Sequence, residues 1–223
     1  GLAIGLVGMG WTLVIAVVLT AAALVHLLTL RIPEGEPERT PGAKAIDIRG
    51  AAAAIRAVPG LFALILFSTF NNLVGGVYMA LMDPYGLTLF DVKVWGIVLG
   101  VTSTGFIIGG AIVAKRGLGR NPIRTMLLAV IVMGVLGAVF TIRAWWWLYV
   151  PGIGLYMSLV PIIESAEQTV IQKVVPFQTQ GRVFGAAATF EAGAAPITAF
   201  LIAPIAQFWV IPYMETDAGR GAW

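Results

Sequence analysis

The stretch AKRGLGRNPIR, residues 114–124, holds four of the chain's fourteen Lys and Arg residues, yet the segments on either side, 94–114 and 125–142, carry no charge apart from its own ends. A cationic cluster of this kind suits a phosphate or nucleic-acid grip, and the formal charge of +3 with a pI near 9.5 points the same way. It equally suits a short connection between two helices that cross a membrane.

Composition decides between them. Of the 223 residues only 11% are charged and 59% are hydrophobic, against roughly 25% and 45–50% in soluble domains. The mean hydropathy is +0.92. Uncharged runs cover 1–30 (with His26), 57–82, 94–114, 125–142 and 144–163, and a sixth at 183–214 is interrupted only by Glu191. A hydrocarbon core about 30 Å thick needs roughly 20 helical residues at about 1.5 Å each. The chain is therefore expected to be an all-α membrane protein with six transmembrane helices. A soluble core made of six such runs would leave too little polar surface to face water. Membrane barrels alternate in segments of about ten residues, and these runs do not alternate.

The same composition narrows the chemistry. With no cysteine and His26 as the single histidine, disulfides, thiolate sites, cysteine nucleophiles and histidine clusters are all out of reach. No metal or cofactor site is expected, and an integral-membrane enzyme is a weak alternative. A phosphate loop would need a following Lys-Ser/Thr pair, which residues 114–124 lack, so nucleic acid is not an expected partner. The first run has no basic flank before it and no small-residue cleavage motif after it, and reads as a true span rather than a signal peptide.

Six spans leave alternating connections, on which Lys and Arg can be counted by side. Arg31, Arg39, Lys44, Arg49, Arg56, Lys115, Arg116, Arg120, Arg124, Lys173 and Arg182 fall on one side, against Lys93, Arg143 and Arg220 on the other. The asymmetry assigns 31–56, 115–124 and 164–182 to the cytoplasm. Residues 114–124 are then an inner loop, with Gly117, Gly119 and Pro122 supplying turn chemistry and four cations facing anionic lipid. The longest connection begins Pro-rich and ends in AIDIRGAAAAIRAV, where Ile48, Ala51, Ala52 and Ile55 share a face. That segment reads either as an amphipathic helix on the inner leaflet or as an extension of the next span.

One span, a long charged linker and then spans joined by a short basic loop resemble a major facilitator superfamily transporter from its sixth helix to its eleventh. GGAIVAKRGLGRNPIR is similar to the superfamily's signature loop, with Gly110, Lys115, Gly117 and Arg120 at matching positions and Ala114 where an acidic residue is usual. QKVVPFQTQGRVFG (172–185), FNNLVGGVYMALMDPYG (70–86) and AFLIAPIAQFWVIPYM (199–214) resemble the macrolide-efflux-like, drug-exporter branch. The resemblance implies twelve helices in two halves with the substrate path between them. On that basis residues 1–30 are the last helix of the N-terminal half, 31–58 the cytoplasmic central loop, and 59–223 the C-terminal half, ending before a final helix. The missing N-terminal half would be a required partner, together with the lipid bilayer, a small-molecule substrate and protons. The implied function is proton-coupled export of amphipathic small molecules across the bacterial inner (plasma) membrane. A membrane-embedded scaffold or receptor without transport is the alternative from another class.

Polar groups within spans are the candidate site, because lipid does not solvate them. Glu191 lies nine residues past Arg182, roughly 13 Å along a helix. A carboxyl at that depth suits a proton carrier; a structural glutamate bonded to a neighbouring helix is the alternative. Asn71 and Asn72 lie near mid-depth about 100° apart, so at most one is expected to face the pathway squarely. Tyr78, seven residues on, shares their side and suits core packing or substrate contact. Glu164 and Glu167, with Gln168, are expected at the cytoplasmic end of their span, forming with Lys115, Arg116, Arg120 or Arg182 a gate or loop ion pair, or else simple solvated end charges. Gly96-x-x-x-Gly100 and Gly105-x-x-x-Gly109 permit close helix approach.

Overall fold

A computed structural model of the chain describes residues 2–30, 48–140 and 142–216. Arg31, Arg39, Lys44 and Arg220, and most of the expected central loop, lie outside them. Within them the elements are helical: α1 (Leu2–Thr29), α2 (Ile48–Ala57), α3 (Leu61–Leu89), α4 (Val92–Arg116), α5 (Pro122–Phe140), α6 (Trp146–Val174) and α7 (Phe177–Ile205). After Pro204 the backbone slips into a π turn at Ala206–Val210 and resumes as α8 (Ile211–Glu215). A proline removes one N–H from the ladder and crowds the preceding turn, and a π turn absorbs such a disturbance.

Among the described residues six helices are long and apolar enough to cross a bilayer: α1, α3, α4, α5, α6, and α7 with its continuation. The expected multi-pass all-α membrane architecture is what the fold has. The boundaries differ where charge was read as the end of a span. Asp83 and Pro84 lie inside α3, and the stretch 164–182, expected as a cytoplasmic connection, is helical except at Val175 and Pro176. The physical reason is length: α6 and α7 have 29 residues each, about 43 Å, so their polar turns extend past a 30 Å core without leaving the helix.

Helix α4 packs along one side of α6 and α5 along another, while α3 packs along α7; α1 runs beside α4. Without a hydrophobic drive between helices in lipid, such contacts depend on close van der Waals fit. Of the two glycine motifs, the second provides it. A Cβ at Gly105 would meet the Gly154 carbonyl oxygen, and one at Gly109 would meet the Ser158 carbonyl oxygen and come 2.7 Å from Pro161 Cγ. Gly100 has open space instead. Gly76 does for α3 and α7 what Gly109 does for α4 and α6, with a Cβ there 2.5 Å from the Ala195 carbonyl oxygen.

Two packed clusters close the ends of the bundle. One joins Leu61, Ile65, Met126, Ala166, Ile171 and Val183 at the end that carries α2 and the 117–121 turn. The other joins Trp95, Phe140, Tyr149 and Ile153 at the opposite end. There Trp95 Nε1 donates to Asp83 Oδ1 at 3.0 Å and Tyr149 OH donates to the Met82 carbonyl at 3.1 Å, so both polar tips are satisfied. Beyond that end, Trp145 stacks on Trp147 at 5.1 Å with the Arg143 guanidinium over its ring, and Trp146 is exposed.

Helix α2 is separated from α3 by a turn at Val58–Gly60 and packs against α7 through buried Ala51 and Ile55. Ile48, expected on the same apolar face, is exposed. The helix therefore covers protein with part of its apolar stripe and is not a simple continuation of α3.

Candidate functional site

Between the two end clusters, α3, α6 and α7 enclose a cavity of about 480 Å³. Each helix contributes a stripe with helical spacing. On α3 it runs through Ser68, Asn71, Asn72, Gly75 and Tyr78; on α6 through Tyr156, Val160, Glu164, Glu167 and Ile171; on α7 through Phe184, Ala187 and Glu191. Phe106 of α4 and Met133 of α5 close the wall.

Glu191 stands at the midpoint of α7 and is half-buried. Its carboxyl is within side-chain hydrogen-bonding reach of Glu167, and the charged groups acting on it are Glu167 and Glu164. Glu167 is only 7% exposed. Oε1 of Glu167, Oε1 of Glu191, Ser68 Oγ and Tyr78 OH are all buried with no hydrogen-bond partner among the described residues. All four belong to the wall of this one cavity. Threonine hydroxyls elsewhere in the spans bond back to their own helix, as Thr102 does to the Val98 carbonyl (2.8 Å) and Thr198 to that of Ala194 (3.1 Å). Polar groups buried without partners are rare and costly.

Seven of the residues singled out from sequence meet here: Asn71, Asn72, Tyr78, Glu164, Glu167, Gln168 and Glu191. Asn71 and Asn72, of which at most one was expected to face the pathway squarely, both border the cavity. The cavity subtends a wide arc of α3, and Asn72 Nδ2 donates to the Ser68 carbonyl of its own helix at 3.0 Å instead of reaching a neighbour. Tyr78 packs against neighbouring rings: it stacks on Tyr156 at 4.3 Å and meets Phe140 edge-on at 5.4 Å, and the residue belongs to the cavity lining.

Glu167 is not a solvated end charge, because α6 runs seven residues further, to Val174, and the carboxyl is buried in the wall. Lys115, Arg116, Arg120 and Arg182 are exposed and do not line the cavity. Gly117 and Gly119 have φ of 66° and 73°, the left-handed backbone expected of that tight turn. Thr125 Oγ1 donates across it to the Leu118 carbonyl at 2.8 Å.

Ser68 and the methionines Met79, Met82, Met133 and Met157 were not singled out from sequence. Ser68 is three residues before Asn71 and four before Asn72, a spacing that would have found it. The methionines carry no such signal, since in a membrane span Met is as ordinary as Leu.

Comparison with known proteins gives one relationship. Residues 1–199 match the Major Facilitator Superfamily. No curated protein and no solved structure matches the chain. With a match over most of its length and six helices among the described residues long and apolar enough to cross a membrane, the chain belongs to the Major Facilitator Superfamily of membrane transporters.

Proposed function

We propose that the chain carries the substrate cavity and the proton-carrying carboxyl of a proton-coupled secondary transporter that exports amphipathic small molecules across a bacterial inner (plasma) membrane. It works with a further set of helices from the same protein, and the loop at 115–124 faces the cytoplasm. The observation that supports this reading is the Glu191 carboxyl at mid-helix, beside Glu167 and bordering a cavity with apolar and aromatic walls. Glu191 takes up a proton from one side and releases it to the other as the cavity changes exposure. Asn71 and Asn72 orient the substrate by amide contacts, and Tyr78 and Tyr156 offer ring faces to its apolar body. Lys115, Arg116, Arg120 and Arg182 hold helix ends at the inner surface through anionic lipid, and no covalent step is involved.

The test is export from vesicles containing the full-length protein, driven by an imposed pH gradient and read with neutral, anionic and cationic amphipathic dyes. Glu191→Gln is expected to abolish gradient-driven export. Undiminished export by the variant would remove the proton-carrier role. Absence of export of any dye by the unaltered protein would favour a receptor or scaffold.

A further inference from the structure

The cavity has a one-sided charge inventory. Glu164, Glu167 and Glu191 line it, and among the described residues no Lys, Arg or His does. The charged neighbours that act on Glu191 are Glu167 and Glu164, and Glu167 acts on Glu164. Glu167 is 7% exposed and Ser68 3% exposed, both belong to the cavity lining, and each has a buried oxygen with no hydrogen-bond partner among the described residues. A buried acid is stabilised by an opposite charge with matching hydrogen bonds, and the described lining of the cavity contributes no cationic side chain.

The rest of the wall suits the body of such a counter-charge. Tyr78 and Tyr156 stack at 4.3 Å, and Phe67, Phe106 and Phe184 add further rings. Aromatic faces attract cations through their negative quadrupole. Met79, Met82, Met133 and Met157 give soft surfaces that adapt to irregular shapes. A volume of about 480 Å³ falls in the range of roughly 300–1,000 Å³ of sites for drug-sized ligands. A bare metal ion fits poorly: among the described residues no three His, Asp or Glu side chains converge as ligands, and the apolar wall would not replace its water shell.

We infer that the cavity takes a lipophilic organic cation, an ammonium or phosphonium centre on an apolar or aromatic body, with Glu167 and Glu191 as its counter-charges. This rests on the cavity being the substrate site of the transporter. The acids select against anions by repulsion, and against neutral ligands because these bring no counter-charge.

Tetraphenylphosphonium and tetraphenylborate have nearly the same shape and opposite charge, so they separate charge recognition from apolar fit. Binding of each to the full-length protein in detergent is measured by equilibrium dialysis. Tetraphenylphosphonium is expected to bind saturably and at least tenfold more tightly than tetraphenylborate. Glu167→Gln and Glu191→Gln are each expected to weaken it tenfold or more, and Gly75→Trp, which projects a ring into open space on the cavity wall, to abolish it. Equal or tighter binding of tetraphenylborate overturns the inference, and that comparison needs no variant to fold. Binding that Gly75→Trp abolishes but neither glutamine variant weakens also overturns it, while leaving the cavity as the substrate site. Binding that none of the three substitutions alters overturns both the inference and the reading it rests on.

Discussion

Glu167 of α6 and Glu191 of α7 bring two carboxyl groups within hydrogen-bonding reach of each other across a helix boundary, and each leaves Oε1 buried without a partner among the described residues. Elsewhere α6 and α7 touch little compared with the long seams of α4 on α6 and α3 on α7. The acid pair is therefore a local electrostatic cost at the edge of a cavity.

Relieving that cost should stabilise the fold. Glu167→Gln keeps the shape, removes one acid and gives Glu191 an amide N–H to accept from. An unsatisfied buried polar group costs about 1–3 kcal/mol, so the ligand-free variant is expected to gain stability of about that size. Denaturant unfolding of the full-length protein in detergent measures it. A loss of similar size would show that the carboxyl pair holds α6 to α7.

Adjacent glycines in α4 should respond in opposite ways. Gly109→Ala drives a methyl group into the Ser158 carbonyl and Pro161, whereas Gly110→Ala enters open space. Overpacking of this kind costs about 1–3 kcal/mol, and backbone offers less give than a side chain. Gly110→Ala is expected to be neutral or to stabilise by up to about 1 kcal/mol, since Ala is the better helix former. Unfolding midpoints of the two variants check the contrast, and equal midpoints would contradict the tight α4–α6 crossing.

Where the sequence was legible, one physical rule made it so. Uninterrupted apolar runs long enough for a bilayer must be helices, because lipid offers the backbone no partner, and α1, α4 and α5 follow the runs closely. The rule fails where a polar residue inside a helix has a reason to be there. Asp83 looked like a span end but lies within α3, where it accepts from Trp95 Nε1. The stretch 164–182 reads as a cytoplasmic connection but belongs to long helices with one break at Val175–Pro176. For the site, period and depth marked Asn71, Tyr78 and Glu191. The approach of Glu167 to Glu191 depends on how α6 sits against α7, which no local pattern encodes.

The contact between Trp95 and Gly86 gives a third prediction. A Cβ at Gly86 would lie 2.5 Å from the six-membered ring of Trp95, so Gly86→Ala should cost about 1–3 kcal/mol. Trp95→Phe forfeits the hydrogen bond to Asp83, about 1 kcal/mol, but withdraws the ring atoms that Gly86→Ala strikes. The double variant should therefore be more stable than the sum of the two losses implies, with a coupling of about 0.5–3 kcal/mol. Strict additivity in a double-mutant unfolding cycle would mean that the ring does not fill that space.

The proposed sidedness can be read chemically, because these 223 residues contain no cysteine. Arg120 lies exposed in the 117–121 turn, while Lys93 and Arg143 are exposed at the opposite end of the bundle. Lys and Arg accumulate on the cytoplasmic side of multi-pass proteins, which puts Arg120 inside and the other two outside. Single replacements Arg120→Cys, Lys93→Cys and Arg143→Cys in the full-length protein, free of other cysteines, are treated with a membrane-impermeant maleimide on intact cells. Lys93→Cys and Arg143→Cys are expected to react at once, and Arg120→Cys only after permeabilisation. The reverse pattern would invert the assignment and with it the direction in which Glu191 is proposed to pass its proton.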